Sequence, residues 1–119
     1  MSRVLSSKAN ALLVLPDNPA SLHLRPQLAA FAKEHRLPLI LPCGDVSEDE
    51  ALVSYGERLE DTAQLAAAHV VKIARGANAA DLPIEQPTRF RLGVNLKVAR
   101  HLGITIPASV LARADMVIE

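Results

Sequence analysis

The chain reads as an α/β protein: a three-layer α/β/α lobe built on a mainly parallel sheet. Three observations carry that reading. Short, continuous apolar runs alternate with longer amphipathic stretches, the pattern of strands joined by helical crossovers. The runs are closed by Pro, Gly or Asp/Asn, as in Pro16-Asp17-Asn18 and Tyr55-Gly56. The longest amphipathic stretch carries an Ala-rich stripe, which lets a helix lie close to a sheet.

Residues 3–8 read as the end of a helix. Ala11-Leu12-Leu13-Val14-Leu15 is too short for a helix and reads as a strand buried on both faces. After the Pro16–Pro19 break, a helix places Leu28, Phe31, Ala32 and His35 on one face, its regular part starting close to Pro26. Leu37 to Leu41 is a second buried strand, framed by Pro38 and Pro42. Residues 43–50 form a polar loop, and Ala51 to Tyr55 a third strand closed by Gly56. From Leu59 to Arg75 runs the longest helix, with Leu59, Ala63, Ala66, Ala67, Val70 and Ala74 as its expected inner stripe. Gly76 ends it, where glycine adopts the left-handed conformation at least cost. Residues 77–89 are an irregular connector. Phe90–Asn95 is a fourth strand, followed by an amphipathic helix that stops at Gly103 and a second that opens near Pro107. That last helix is expected to gather Val110, Leu111, Ala114, Val117 and Ile118 on one side. The expected organisation is one lobe over residues 1–119, with a strand–helix core at 11–76 and a connector, strand and C-terminal helices at 77–119.

Composition excludes several functional classes. At 119 residues, half of them hydrophobic, the chain can bury a core and is not a disordered tail. It has two Phe, one Tyr and no Trp, so aliphatic residues and Ala must build that core. Formal net charge is zero, which argues against a nucleic-acid binder or a polybasic membrane-surface protein. No apolar run approaches the roughly 20 residues needed to span a bilayer. The opening residues lack the pattern of a secretory signal, so the chain as written is expected in the cytoplasm. Cys43 is the lone cysteine and reads as a small packed residue between Pro42 and Gly44 rather than a nucleophile.

Motifs for catalysis are missing. There is no GxGxxG or GxxxxGK[ST] phosphate loop and no GxSxG elbow. His23, His35, His69 and His101 have no His or Cys three or four residues away, so no local metal motif exists. Glu48-Asp49-Glu50 reads as a solvated face. A phospho-accepting role for Asp17 would need a further acidic cluster and a lysine at a later strand end, and neither is found. The reading is therefore of a non-enzyme without metal or cofactor. Ligands of parallel sheets sit at the carboxyl ends of the strands, here at Pro16–Asn18, Pro42–Asp45 and Tyr55–Arg58.

Three segments, taken in order, resemble one family. They are Ala11–Asn18, Leu52-Val53-Ser54-Tyr55-Gly56, and the long tail. The tail contributes Asp81-Leu82-Pro83, Gln86-Pro87-Thr88, Val94-Asn95-Leu96 and Leu102-Gly103-Ile104-Thr105-Ile106-Pro107. Over about residues 11–119 they are similar to the C-terminal lobe of the solute-binding proteins of ABC importers for aromatic amino acids and similar small molecules. The resemblance implies half of a type I periplasmic-binding-protein fold, in which two α/β lobes close on a solute and dock on a membrane permease. It also implies a periplasmic setting, against the cytoplasmic one read from the opening residues.

Carried onto this sequence, the resemblance puts Asp17 and Asn18 at the cleft as polar contacts, although helix capping explains them equally well. Tyr55 and Gly56 match the next cleft turn, with a ring face, a hydroxyl and backbone N–H groups on offer. Edge packing is the competing explanation for Tyr55. Cys43 and Gly44 lie between these turns in position, where the sequence departs from the family's aromatic or Gly-rich stretch. Arg58 has no fixed family counterpart; it suits a carboxylate partner, in the solute or in Glu57 or Glu60. Further expectations are a homodimer, through exchange of the N-terminal segment or the final helix, and weak solute binding by one lobe alone. The alternative is a cytoplasmic dimeric interaction protein derived from such a lobe, with transport lost.

Overall fold

The computed structural model describes residues 4, 6–15, 23–44 and 51–119. Among them, five strands form one sheet in sequential order. They are β1 (Leu12–Leu13), β2 (Leu39–Leu41), β3 (Val53–Gly56), β4 (Arg91–Asn95) and β5 (Met116–Ile118). The helices whose bounds are described are α1 (Arg25–Glu34), α2 (Leu59–Ala74), α3 (Leu96–Leu102) and α4 (Ala108–Leu111), with a 3₁₀ turn at Ala79–Asp81. The pairs β1–β2, β2–β3 and β4–β5 are parallel, while β3–β4 is antiparallel. The α/β class and the mainly parallel sheet are those expected from the alternating runs.

Register assigns the two faces. One row runs Leu41–Ser54–Gly93–Met116, with Leu12–Leu39 beside it. Onto this face α1 packs Ala29 and Ala32, closing a core with Leu39, Leu41 and Ala51. Alanine at both contact positions lets the helix approach the strands closely. Arg36 Nη2 donates to the His101 carbonyl at 3.2 Å, tying the end of α1 to the end of α3. The other row runs Leu13–Ile40–Val53–Val94–Val117. Val94 at its centre is fully buried, but Leu13 and Val117 at its ends are exposed. The expected burial of the first strand on both faces therefore fails. β1 is an edge strand, and Leu13 and Leu15 lie open to solvent.

The longest helix departs from expectation more sharply. α2 forms where the pattern put it, and Gly76 follows it at φ 99°, which suits a residue without a Cβ. Yet no residue of α2 is buried. Leu59 is 74% exposed and Val70 65%, and Ala63, Ala66, Ala67 and Ala74 are exposed as well. The half-buried flank is instead Asp61, Thr62, Leu65 and His69. Against that flank lies the connector: Lys72 Nζ is 3.3 Å from Glu85 Oε1, and His69 Nε2 is 3.9 Å from Glu85 Oε2. The periodicity identified the stripe that needs cover, but the sheet of this chain does not supply it. The radius of gyration, 17.6 Å, records the same departure from compactness. A compact chain of this length would have about 13.5 Å.

The C-terminus is also corrected. The helix opening after Pro107 is only Ala108–Leu111, and Val117 and Ile118 belong to β5 rather than to a helical face. Their β-branched side chains favour a strand, and they pair in parallel with Val94 and Asn95. Asp115 locks the turn that permits this. Its N–H donates to the Leu92 carbonyl at 2.8 Å, and its Oδ2 accepts from the Leu92 N–H at 2.8 Å. The preceding helix stops at Gly103, φ 72°, as expected.

Candidate functional site

The parallel strands β1–β3 end along one rim of the sheet. Because β4 runs antiparallel to β3, its start rather than its end reaches that rim: Gly56 is opposite Arg91, and Tyr55 opposite Leu92. Asn95, at the far end of β4, lies at the opposite rim and serves the fold. It is fully buried, and its side-chain oxygen accepts from the Val98 N–H at 3.0 Å to cap α3.

Two strand-end loops meet at the rim. The Gly44 N–H donates to the Glu57 carbonyl at 3.0 Å. The contact is so close that a side chain at either glycine would press on the facing backbone. A Cβ on Gly56 would sit 3.0 Å from the Cys43 N and Cα and from the Pro42 carbonyl carbon. A Cβ on Gly44 would sit 2.9 Å from the Gly56 oxygen and 3.2 Å from the Arg58 Cγ. The structure thus brings together five of the seven residues marked by the sequence: Cys43, Gly44, Tyr55, Gly56 and Arg58. Asp17 and Asn18 lie outside the described residues, as does the acidic run at 48–50. The guanidinium of Arg58 pairs with the Glu60 carboxylate, one of the two intramolecular partners open to it.

Tyr55 is not packed away at the sheet edge. It is 58% exposed, and its ring stacks on Phe90, itself 50% exposed, with centroids 5.9 Å apart and planes inclined by 21°. In the sequence Phe90 marks only the start of a strand. The missing information was the direction of β4: only an antiparallel pairing brings Phe90 beside Tyr55. A usable signal was present in composition, since two of the chain's few aromatic rings lie at strand boundaries. Next to this pair, a groove of about 290 Å³ is lined by Asp61, Gln64, Leu65, Gln86, Pro87, Thr88 and Arg89. It opens between the first turns of α2 and the end of the connector, three residues beyond Arg58 and one before Phe90. The rim therefore offers ring faces, a close junction of two glycine turns, and side chains of both charge signs. Such a surface can hold a small polar solute with an apolar part. Among the described residues, no three His, Cys, Asp or Glu side chains cluster to hold a metal ion.

Comparison with known proteins agrees with this fold. The family model described as ABC transporter substrate binding protein matches residues 1–118. Among solved structures, an ABC domain from Streptococcus pneumoniae in complex with L-Trp superposes with a TM-score of 0.80 at 29% identity, covering 97% of this chain and 40% of that one. A conserved domain protein from Vibrio cholerae O1 biovar eltor superposes with a TM-score of 0.80 at 26% identity, covering 98% of this chain and 39% of that one. No curated protein sequence gives a match. The chain thus spans about two-fifths of the length of either solved relative. With nearly its whole length inside the family match, this chain belongs to the ABC transporter substrate-binding protein family.

Proposed function

We propose that the chain is one lobe of the solute-binding component of an ABC importer, and that it contacts an amino acid at the strand-end rim. The observation that carries this reading is the exposed Tyr55–Phe90 stack beside the Gly44–Gly56 junction. An aromatic pair held open at the ligand-binding rim of a parallel sheet suits the side chain of an aromatic or branched amino acid. The backbone N–H groups near Gly56 suit its carboxylate. The L-Trp in the Streptococcus pneumoniae structure supports the same solute class. In this reading the protein binds and delivers rather than catalyses, works outside the cytoplasmic membrane, and passes solute to a permease when joined to the rest of its binding protein. Asp17 and Asn18 would extend the same rim from the end of β1.

Affinity follows from completeness. A solute held by this chain alone makes only part of its contacts and is not shielded from water. Binding is expected at millimolar Kd or weaker, about 4 kcal/mol or less. NMR titration of the chain with L-Trp and L-Leu tests this. Shifts at Tyr55, Gly56 and Phe90 that saturate in the millimolar range, and that Tyr55→Ala or Phe90→Ala abolish, are the expected result. Micromolar binding, or shifts confined to other surfaces, would contradict it. A second reading, a self-associating interaction protein, draws on the exposed apolar side chains of β1 and β5 at the two edges of the sheet. Under that reading the chain is a homodimer, and light scattering at high concentration separates the two.

A further inference from the structure

The connector that follows α2 turns back and runs along it. Its residues 83–88 include Pro83 and Pro87, which lack a backbone donor and favour an extended backbone. No backbone–backbone hydrogen bond joins residues 83–88 to any other described residue. Ile84 is 95% exposed and gives no apolar anchor. Among the described residues, one side chain ties this stretch to the helix by charge. The Glu85 carboxylate accepts from Lys72 Nζ at 3.3 Å through Oε1 and faces His69 Nε2 at 3.9 Å through Oε2. The second contact is an ion pair only with a protonated imidazole. The Glu85 and His69 side chains are both more than half buried, so water screens this clasp less than a fully exposed pair.

At 100° per residue, Asp61, Leu65, His69 and Lys72 share an arc of about 80° on α2. Asp61 and Leu65 line the groove beside the aromatic stack, and Gln86–Arg89 form its facing wall. The clasp lies further along the same stripe. The connector therefore runs antiparallel to α2. Glu85 is level with the third and fourth turns of the helix, Gln86–Arg89 with the first two, and Phe90 then arrives at Tyr55. We propose that Glu85 is a positioning residue of the solute rim. By holding the connector as a strap against α2, its carboxylate builds one wall of the groove and fixes the approach of Phe90. The consequence for solute rests on the binding role proposed above; the clasp itself does not. With the clasp open, residues 83–88 keep no other hydrogen bond or ion pair to the described residues. The groove then loses a wall, and the Phe90 ring is held from the β4 side alone.

The test compares the parent chain with Glu85→Lys, Lys72→Glu and the double exchange, by backbone NMR relaxation and by titration with L-Trp. Order parameters at Ile84, Glu85, Gln86 and Thr88 are expected near about 0.8 in the parent and in the double exchange. They should fall below about 0.6 in each single variant, with amide shifts of β2–β4 unchanged. The Kd for L-Trp, read at Phe90, should weaken about threefold in each single variant and return in the double exchange. Exchanging the charges would not repair a merely structural loss. Single variants that keep the parent's order along the strap would overturn the clasp, as would a double exchange that stays loose. L-Trp binding unchanged in single variants whose strap has loosened would overturn the positioning role. Absence of L-Trp shifts in the parent itself would contradict the solute reading instead, because the order parameters report the clasp without solute.

Discussion

Helices α1 and α2 carry the same kind of amphipathic pattern and meet opposite fates. α1 has a modest apolar face, yet Ala29 and Ala32 are buried against Leu39 and Leu41. α2 has the longer apolar stripe, and none of it is buried. Amphipathicity records what a helix needs from its surroundings and is silent on where in the chain that surface lies. For α1 the partner is local, the strand that follows it after a short turn. For α2 the neighbouring sheet in this chain is already closed by α1 on the face that carries Leu39 and Leu41. Contact with that sheet is therefore a poor guide to how α2 is stabilised.

The widest separation is expected from a matched pair of substitutions. Leu41→Ala opens a cavity in the fully buried row and should lower stability by about 2–5 kcal/mol. Val70→Asp, on the exposed stripe, should change it by no more than about 0.5 kcal/mol. Urea denaturation followed by circular dichroism measures both, and a comparable loss from each would break the contrast between the two helices. A smaller effect is expected at the rim. Gly56→Ala forces a methyl against the Cys43 backbone at 3.0 Å, so the two loops must part. The cost should be about 1–3 kcal/mol, with amide shifts concentrated at Cys43 and Gly44. If the shifts appear elsewhere, the loops are not packed as described. Asn95→Ala removes the cap of α3 from a buried position and should cost about 1–2 kcal/mol. Substitution by Asp should not rescue it fully: a carboxylate also accepts from the Val98 N–H, but at this fully buried position it loses its hydration and the amide's N–H donors.

Much of the fold was legible because its signals are local. The strands stop at Pro42 and Gly56, α3 ends at a left-handed Gly103, and Gly76 follows α2, each for steric reasons that act within a few residues. The errors share a cause of longer range. Val117 and Ile118 fit a helical face as well as a strand. Only their pairing with β4, held by Asp115 against Leu92, decides between them. The place of Phe90 beside Tyr55 depends on the direction of β4 relative to β3, which is not written in either segment. Of the candidate site, the Cys43–Gly44 and Tyr55–Arg58 loops were found from the general rule for parallel sheets. Their mutual packing, which leaves little room for a side chain at either glycine, is visible only in the fold.

The most direct measurement is residue-resolved amide hydrogen exchange on the chain in solution, comparing β2–β4 with α2. Buried apolar contact governs local opening, so amides of Leu41, Val53 and Val94 should exchange at least about a hundredfold more slowly than those of Val70 and Ile73. Equal protection of α2 and the sheet in a monomer would contradict the account, because it would mean that this chain itself covers the Leu59–Ala74 stripe.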